Sequence, residues 1–530
     1  MISACRVSTI RAIAFVPALA LLSAAPLQAQ TATFTIDANR AVKPISRYIY
    51  GVNQELGGEL SNLTLRRMGG NRWTAYNWAN NASNAGNDWV FQNDGYLGGG
   101  DTPGGAVISA IQNASEHKAA VLLTIPIAGY VAADKLGDGD VRNTPNYLET
   151  RFRQGRPEKG SAFTLKPNPN AKFVYQDEFA NWIKVKYPYT QTDPQRPVWF
   201  SLDNEPDLWS STHLEIHPQP VTYAELAHKT IAYAKALKAV MPNALIFGPV
   251  NYGFNGFVNL QNASDANGRD FQTFYLQRMK QAETANGKRL LDVLDVHWYP
   301  EARGDGVRII SKDATPGLVT ARVQAPRSLW DPNYKEDSWI ANDYLGGPIK
   351  LLPYLYDKIK DAYPGTKLAF TEYNYGGGGH ISGAIAQADV LGIFGREGVF
   401  AATHWPANQD ERFNIAALQM YRNFDGKNGS FGDTSVFAKT NKVAETSVYA
   451  SLDSTTPNRM MVVAINKTNG PVKAVIKISD AGFVKRAQVY QLAGTTPQPK
   501  KKAGFTITNP ARFTYKMPAM SVTTLVLTKK

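Results

Sequence analysis

Residues 198–209 read VWFSLDNEPDLW, a run of Val, Trp, Phe and Leu that ends in Asp203, Asn204 and Glu205 before Pro206 turns the chain. Such a run is a buried strand that delivers its last side chains to one edge of a sheet. The same form returns at residues 367–377, KLAFTEYNYGG, where Glu372 closes the strand and Gly376 marks the turn. Working outward, strand-like segments at 48–53, 63–68, 120–126, 244–250, 293–298 and 399–405 bring the count to eight. Helical patterns lie between them. The clearest spans 222–240: Thr222 and Glu225 form a capping box, Tyr223, Leu226, Thr230, Ala234 and Leu237 share one face, and Pro242 stops it. Another begins near Pro348 and sets Leu352, Leu355 and Ile359 at helical spacing. Eight strands alternating with helices predict a (β/α)8 barrel with long loops.

Beyond Gly426 the texture changes. Segments at 459–466, 472–478, 487–491, 505–507 and 521–527 are short, rich in Val, Ile and Thr, and divided by Asn-Gly, Pro and Asp turns. They predict a β-sandwich. Residues 32–37, ATFTID, alternate in the same way and are expected to pair into that sandwich from the other end of the chain. The predicted organisation is a leader at 1–29, an N-terminal sandwich strand at 30–44, the barrel at 45–428 and the rest of the sandwich at 429–530.

The leader rests on Arg6 and Arg11, the apolar run 12–25 and a small-residue cleavage site after Ala29. It predicts export to the periplasm or outside the cell. The lone cysteine, Cys5, lies inside it, so the exported chain has none to pair. The 530 residues carry 57 Lys and Arg against 44 Asp and Glu, a formal charge of +13. A nucleic-acid surface needs basic residues gathered on one face, whereas these are scattered along the chain and only 500–502 forms a compact run. The expectation is therefore no nucleic acid, no membrane once the leader is gone, and a monomer.

In a barrel the strand ends at the C-terminal face carry the chemistry, and two of the eight end in glutamate. A pair of carboxylates from strands four and seven, about 5–5.5 Å apart, is the arrangement that forms and hydrolyses a covalent glycosyl-enzyme. Glu205 is the expected acid and base, its pKa raised by the charge of Glu372. Asn204 is placed to bind the sugar 2-hydroxyl. The sixth strand ends in HWYPEARG: His297 and Tyr299 suit hydrogen bonds to a carboxylate, with a core histidine as the alternative for His297, and Trp298 adds a flat apolar face. Trp405 at the eighth strand end is the expected sugar platform. Arg67 is set to approach the nucleophile, and Trp78, with Trp73 and Trp89, either lines the cleft or packs loops on the rim. Trp330 and Trp339 follow strand six and are read as rim residues of an extended groove. Asp134, Asp138 and Asp140 follow strand three, either as a solvated loop or as hard-cation ligands.

Several stretches taken together, SLDNEPDLW, FTEYNYGGG, RRMGGNRWTAYNWANNASNAGNDW, LLTIPIAGYVAADK, DVLDVHWYP and SLWDPNY, resemble glycoside hydrolase family 44, secreted endo-β-1,4-glucanases and xyloglucanases. The resemblance runs from about residue 33 to the C-terminus. It implies a barrel with a sandwich built from both termini, a retaining mechanism without a cofactor, and β-glucan substrates such as xyloglucan and carboxymethylcellulose. It matches Glu205 to the acid/base and Glu372 to the nucleophile, and it implies a structural calcium, for which Glu55, Asp138 and Asp140 are the candidate ligands. Met68 departs from the pattern, standing where a tryptophan is expected before the paired glycines. Xylan or mannan as main substrate, and a polysaccharide-binding protein without activity, are the alternatives.

Overall fold

The computed structural model describes residues 30–480 and 482–529, so the leader expected at 1–29 lies outside the described residues. Eight parallel strands close into a barrel: Gly51–Val52, Leu65–Met68, Ala120–Ile125, Val198–Leu202, Ile246–Asn251, Val293–Trp298, Lys367–Tyr373 and Ala401–His404. All eight fall within or beside the segments read from the sequence. The fourth strand pairs with the third on one side and the fifth on the other, and the eighth returns to the first, which completes the ring. The first strand is shorter than its hydrophobic pattern suggested. Ser46 Oγ accepts from Tyr48 N, and the chain from Arg47 to Ile49 coils into a 3-10 turn before the strand starts.

The helix read at 222–240 spans Tyr223–Val240, with Thr222 Oγ1 accepting from Glu225 N at 3.1 Å. The one near Pro348 spans Leu351–Ala362 and buries Leu352, Leu355 and Ile359. Helix Ile381–Glu397 follows the seventh strand and is buried along nearly its whole length, because the sandwich covers the side that the barrel does not. Gly392 permits that approach: a Cβ there would sit 2.2 Å from the Tyr449 ring. Tyr449 OH donates to Asp389 Oδ1 at 2.6 Å and Lys467 Nζ meets Asp389 Oδ2 at 2.6 Å, so a buried network ties the two layers together.

The sandwich strands run in the order Lys500–Thr506, Arg486–Ala493, Ser521–Thr528, Arg459–Asn466, Thr446–Leu452, Thr434–Thr440, Gln30–Asp37, Val472–Ser479 and Arg512–Met517. The N-terminal strand lies antiparallel to Thr434–Thr440 and parallel to Val472–Ser479. Phe34, Ile36, Ala474, Ile476, Val462 and Leu525 face inward into one core.

Candidate active site

Just past the fourth strand the backbone is strained. Asp203 has φ 70° and Glu205 φ 42°, left-handed values that side chains other than glycine seldom adopt. Hydrogen bonds hold the turn in place. The buried Asp203 carboxylate accepts from Thr74 Oγ1 at 2.6 Å, Ile127 N at 2.6 Å, Ala128 N at 3.1 Å, Asn204 N at 2.9 Å and Trp209 Nε1 at 3.3 Å. Glu205 N donates to Val250 O at 3.1 Å on the fifth strand. The Glu205 carboxyl is thereby aimed over the barrel mouth. Glu372 lies within the seventh strand, directly across the ladder from His297 of the sixth.

Arg67, at the end of the second strand and fully buried, is the hub of the site. Its Nη1 donates to Glu372 Oε1 at 2.7 Å and to Asn53 Oδ1 at 3.0 Å, and its Nη2 donates to Asn204 Oδ1 at 2.8 Å. Nη2 also lies 3.3 Å from His297 Nε2. Gly69 leaves room for it, since a Cβ there would come 2.2 Å from the guanidinium carbon.

That contact fixes the proton on His297. Arginine only donates, so Nε2 accepts and Nδ1 carries the hydrogen. Nδ1 lies 2.8 Å from Glu205 Oε1 and 3.6 Å from Glu372 Oε2. Burial holds the imidazole down at about 3, so it is neutral above that pH. Tyr299 OH donates to Glu372 Oε2 at 2.8 Å, and burial keeps that hydroxyl protonated. Glu372 therefore has a donor on each oxygen.

Burial pushes the Glu205 carboxyl up to about 7, with Arg67 opposing and the charge of Asp88 adding. The sequence reading assigned this rise to Glu372. The structure corrects it, because Arg67 lies against Glu372 and offsets its field. An oxygen of Glu205, an oxygen of Glu372 and a His297 nitrogen all lie within 4.8 Å of one another. Such closeness belongs with the roughly 5–5.5 Å carboxyl spacing of double displacement and leaves no room for the water that an inverting site at about 6.5–9.5 Å must hold.

Two hollows open beside the site, one reaching Asn53 and Gly70, the partners of Arg67 and Asn204, and the other reaching Glu205 itself. One of about 680 Å³ is lined by Gly70, Trp73, Asp88, Trp89, Tyr96 and Trp405. The other, of about 310 Å³, is lined by Glu205, Tyr252, Tyr299, Arg308 and Trp339. The Trp405 indole lies on Gly70, whose φ of 95° and missing side chain make the contact possible; a Cβ there would be 2.9 Å from the ring.

Comparison with known proteins agrees with this geometry. The model of glycoside hydrolase family 44 matches residues 82–302. "Endoglucanase A" of Paenibacillus lautus is 43% identical over 94% of this chain and 73% of its own length. The chain belongs to glycoside hydrolase family 44. A solved Paenibacillus polymyxa family 44 xyloglucanase with xyloglucan is 41% identical at a TM-score of 0.89, covering 94% of this chain and all of that one. The "Beta-mannanase/endoglucanase A" of Caldicellulosiruptor saccharolyticus is 40% identical over 91% of this chain, which spans 38% of that longer protein.

Other candidates in this family 44 hydrolase fall elsewhere. Trp78 is buried, stacks on Phe179 at 5.3 Å and 17°, and donates from Nε1 to Tyr175 O at 3.2 Å, so it packs a loop and does not face the cleft. Trp330 lies at the seam with the sandwich, its ring 4.3 Å beneath the Arg396 guanidinium in a hollow lined by Val436, Phe437 and Tyr449. The calcium ligands named from the resemblance do not assemble. Asp138 and Asp134 both pair with Arg151, at 2.7 and 2.8 Å, Asp140 pairs with Arg142, and Glu55 is exposed. Arginines already supply the charge a cation would bring. Among the described residues the cluster with metal-ligand spacing is Glu205, His297 and Glu372. Its nitrogen carries a proton and the Arg67 cation lies against it, which does not fit a metal.

Sequence reasoning missed Asn53, whose Nδ2 donates to Thr371 O at 3.1 Å and whose Oδ1 receives Arg67. It also missed Asp295 beneath the site, where both carboxyl oxygens accept from Thr371 Oγ1, at 2.7 and 2.9 Å, and burial raises the group to about 7.

Proposed function

We propose that this family 44 hydrolase cuts β-1,4-glucan backbones, xyloglucan among them, from within the chain and with retention, Glu205 being the acid/base and Glu372 the nucleophile. The observation that carries the reading is the pair of carboxylates with oxygens within 4.8 Å of each other, beside one hollow that Glu205 lines and a second lined by Asn53 and Gly70. A cleft with open space at both hollows admits a polymer's interior.

In the first half Glu205 gives its proton to the glycosidic oxygen while Glu372 attacks the anomeric carbon, and the leaving chain departs with its new hydroxyl. Burial keeps Glu205 protonated up to about pH 7 for this step. Asn204 supports it as the 2-hydroxyl partner, since its oxygen is engaged by Arg67 and by Gly70 N at 3.2 Å, which leaves the amide nitrogen, held by a long 3.5 Å contact to Asn71 Oδ1, as the donor. Once the ester has formed, Glu372 no longer neutralises Arg67, and the unmatched guanidinium favours ionised Glu205. That carboxylate takes a proton from water as the water attacks the same carbon, freeing the β-anomer and restoring Glu372.

A second reading, mannan hydrolysis, has one support, the name of the Caldicellulosiruptor relative. Reducing ends released from xyloglucan, unbranched β-glucan and mannan separate the two, and release from none of them would leave a binding protein without activity. Export through the leader at 1–29 completes the reading, in keeping with a polymeric substrate; among the described residues no helix is long and apolar enough to cross a membrane.

A further inference from the structure

The charge of the molecule is unevenly shared. Residues 45–428 carry 38 Lys and Arg against 39 Asp and Glu, whereas residues 429–530 carry 15 against 4. The barrel is nearly neutral and the sandwich strongly basic. Basic residues that look scattered along the sequence are gathered by strand register onto one outer face. Thr35 of the N-terminal strand pairs with Lys439 on one side and Lys477 on the other, and Lys477 in turn pairs with Arg512. Four residues along the strands, Thr31 pairs with Lys473 and Lys473 with Lys516. All five basic side chains are exposed.

Their arrangement carries an electrostatic cost. Lys473 faces Lys516 and Lys477 faces Arg512 directly across an antiparallel pair, where like charges repel. No carboxylate relieves them. The ion pairs of the sandwich among the described residues are Lys442 with Glu445, Arg459 with Asp453 and Lys467 with Asp389. Asp37, in the neighbouring row, caps Asn39 N at 3.1 Å. Edge protection accounts for Arg512 and Lys516, which lie on the last strand of the sheet. Lys439, Lys473 and Lys477 are inside the sheet, where no edge needs guarding.

We propose that this face docks a carboxylated polysaccharide, a polyuronate chain lying across the strands with its carboxylates on Lys439, Lys473, Lys477, Arg512 and Lys516. The chemistry of the face selects this occupant among polyanions. Lysine, a hydrated point charge, outnumbers the arginine fork that suits phosphate. No aromatic ring is offered for stacking on bases: Phe513 and Tyr515 pack against the sandwich core and Arg40 covers Phe437 at 4.0 Å. None of the large exposed apolar side chains lies on these strands, so the face has nothing to insert into a lipid surface. Threonine hydroxyls between the lysines suit sugar hydroxyls. The choice of a polysaccharide rests on the barrel being a glucan hydrolase; a charged face then holds the neutral barrel where acidic and neutral polysaccharides lie together.

The test is retention of the full chain on polygalacturonate in affinity gels, against fully methyl-esterified polygalacturonate, duplex DNA and anionic phosphatidylserine vesicles. Polygalacturonate should retain it at low salt and release it at about 0.5 M salt, while the esterified polymer has no effect. The triple change Lys473→Gln, Lys477→Gln, Lys516→Gln should weaken retention about tenfold and leave the rate on soluble xyloglucan unchanged. Its melting temperature should hold or rise as like charges are removed. Lys477→Gln alone tests the face should the triple variant misfold. Equal retention of parent and variant, or none of the parent, overturns the proposal. Tighter hold on DNA or vesicles through the same lysines would assign the face to that class. The readout is binding, so the two failures are told apart: no retention by a chain that still releases reducing ends sinks this proposal alone, and no release of reducing ends sinks the glucanase reading on which the choice of a polysaccharide rests.

Discussion

Arg67 Nη1 lies 2.7 Å from Glu372 Oε1 in a site where the guanidinium is fully buried. The two residues are 305 positions apart, and the contact joins the second strand to the seventh across the barrel mouth. Arg67→Lys keeps the charge but loses the fork that also holds Asn53, Asn204 and His297. We expect kcat/KM on xyloglucan to fall about 100-fold or more, as when a preorganised donor is removed. Arg67→Ala leaves Glu372 without its buried partner and should also cost about 3–5 kcal/mol in urea unfolding. Near-parental rates in the lysine variant would show that charge alone suffices.

Glu372→Gly removes the nucleophile and opens space in its place. Turnover should be lost, and azide should restore cleavage of an activated aryl β-glycoside with an α-glycosyl azide as product. Proton NMR reads the outcome. A β-linked azide, or no rescue in a folded variant, would move the nucleophile elsewhere.

Glu205 must be protonated to act as acid. Its pKa is raised to about 7, so the protonated fraction falls as pH rises through that value and kcat/KM should decline on that side. Glu205→Ala should spare aryl glycosides with good leaving groups far more than polymers, since such groups need little protonation. In that variant the alkaline limb near pH 7 should vanish. An equal loss on both substrates, or an unchanged limb, would remove Glu205 from the role.

How far the sequence revealed the site follows from what each residue type can signal. Glu205 and Glu372 stand at the ends of apolar strands, where a charge is conspicuous, and the barrel rule turns position into function. Asn53 and Asp295 gave no comparable sign, because their meaning comes from Arg67 and Thr371, which are distant in sequence or on another strand. Aromatic residues were ambiguous in principle: Trp405 reads as a sugar platform, Trp330 as a groove rim and Trp78 as either cleft lining or loop packing, and only packing shows which ring faces the cleft. The first strand of the barrel was overextended because Tyr48 and Ile49 belong to an apolar turn. Lys500–Thr506 was seen only from residue 505 onward, since an edge strand exposed on both faces shows no alternation of burial.

The three tryptophans separate in a direct measurement. Trp405→Ala removes the ring that lies on Gly70 in the cleft and should raise KM for xyloglucan several-fold, with a smaller change in kcat. Trp330→Ala and Trp78→Phe should leave KM unchanged and lower the melting temperature, because both rings pack away from the hollows beside the carboxylates. A KM effect from Trp330 equal to that of Trp405 would extend the substrate groove to the sandwich seam.

Asp207 gives stability its own pH dependence. It is buried in the 3-10 turn after Glu205 and accepts from Tyr252 N at 3.2 Å. Burial, with the charge of Glu205 adding, pushes it from 3.8 up to about 8. Below pH 3.8 folded and unfolded chains both hold the proton and the group's contribution is complete. As pH rises from there towards 8 the unfolded chain releases the proton and the folded one keeps it, so stability falls by at most about 1.4 kcal/mol per pH unit. Asp207→Asn cannot titrate. Its stability relative to the parent should therefore climb between pH 5 and pH 8 in urea unfolding, and a constant difference across that range would mean that Asp207 is ionised in the folded protein.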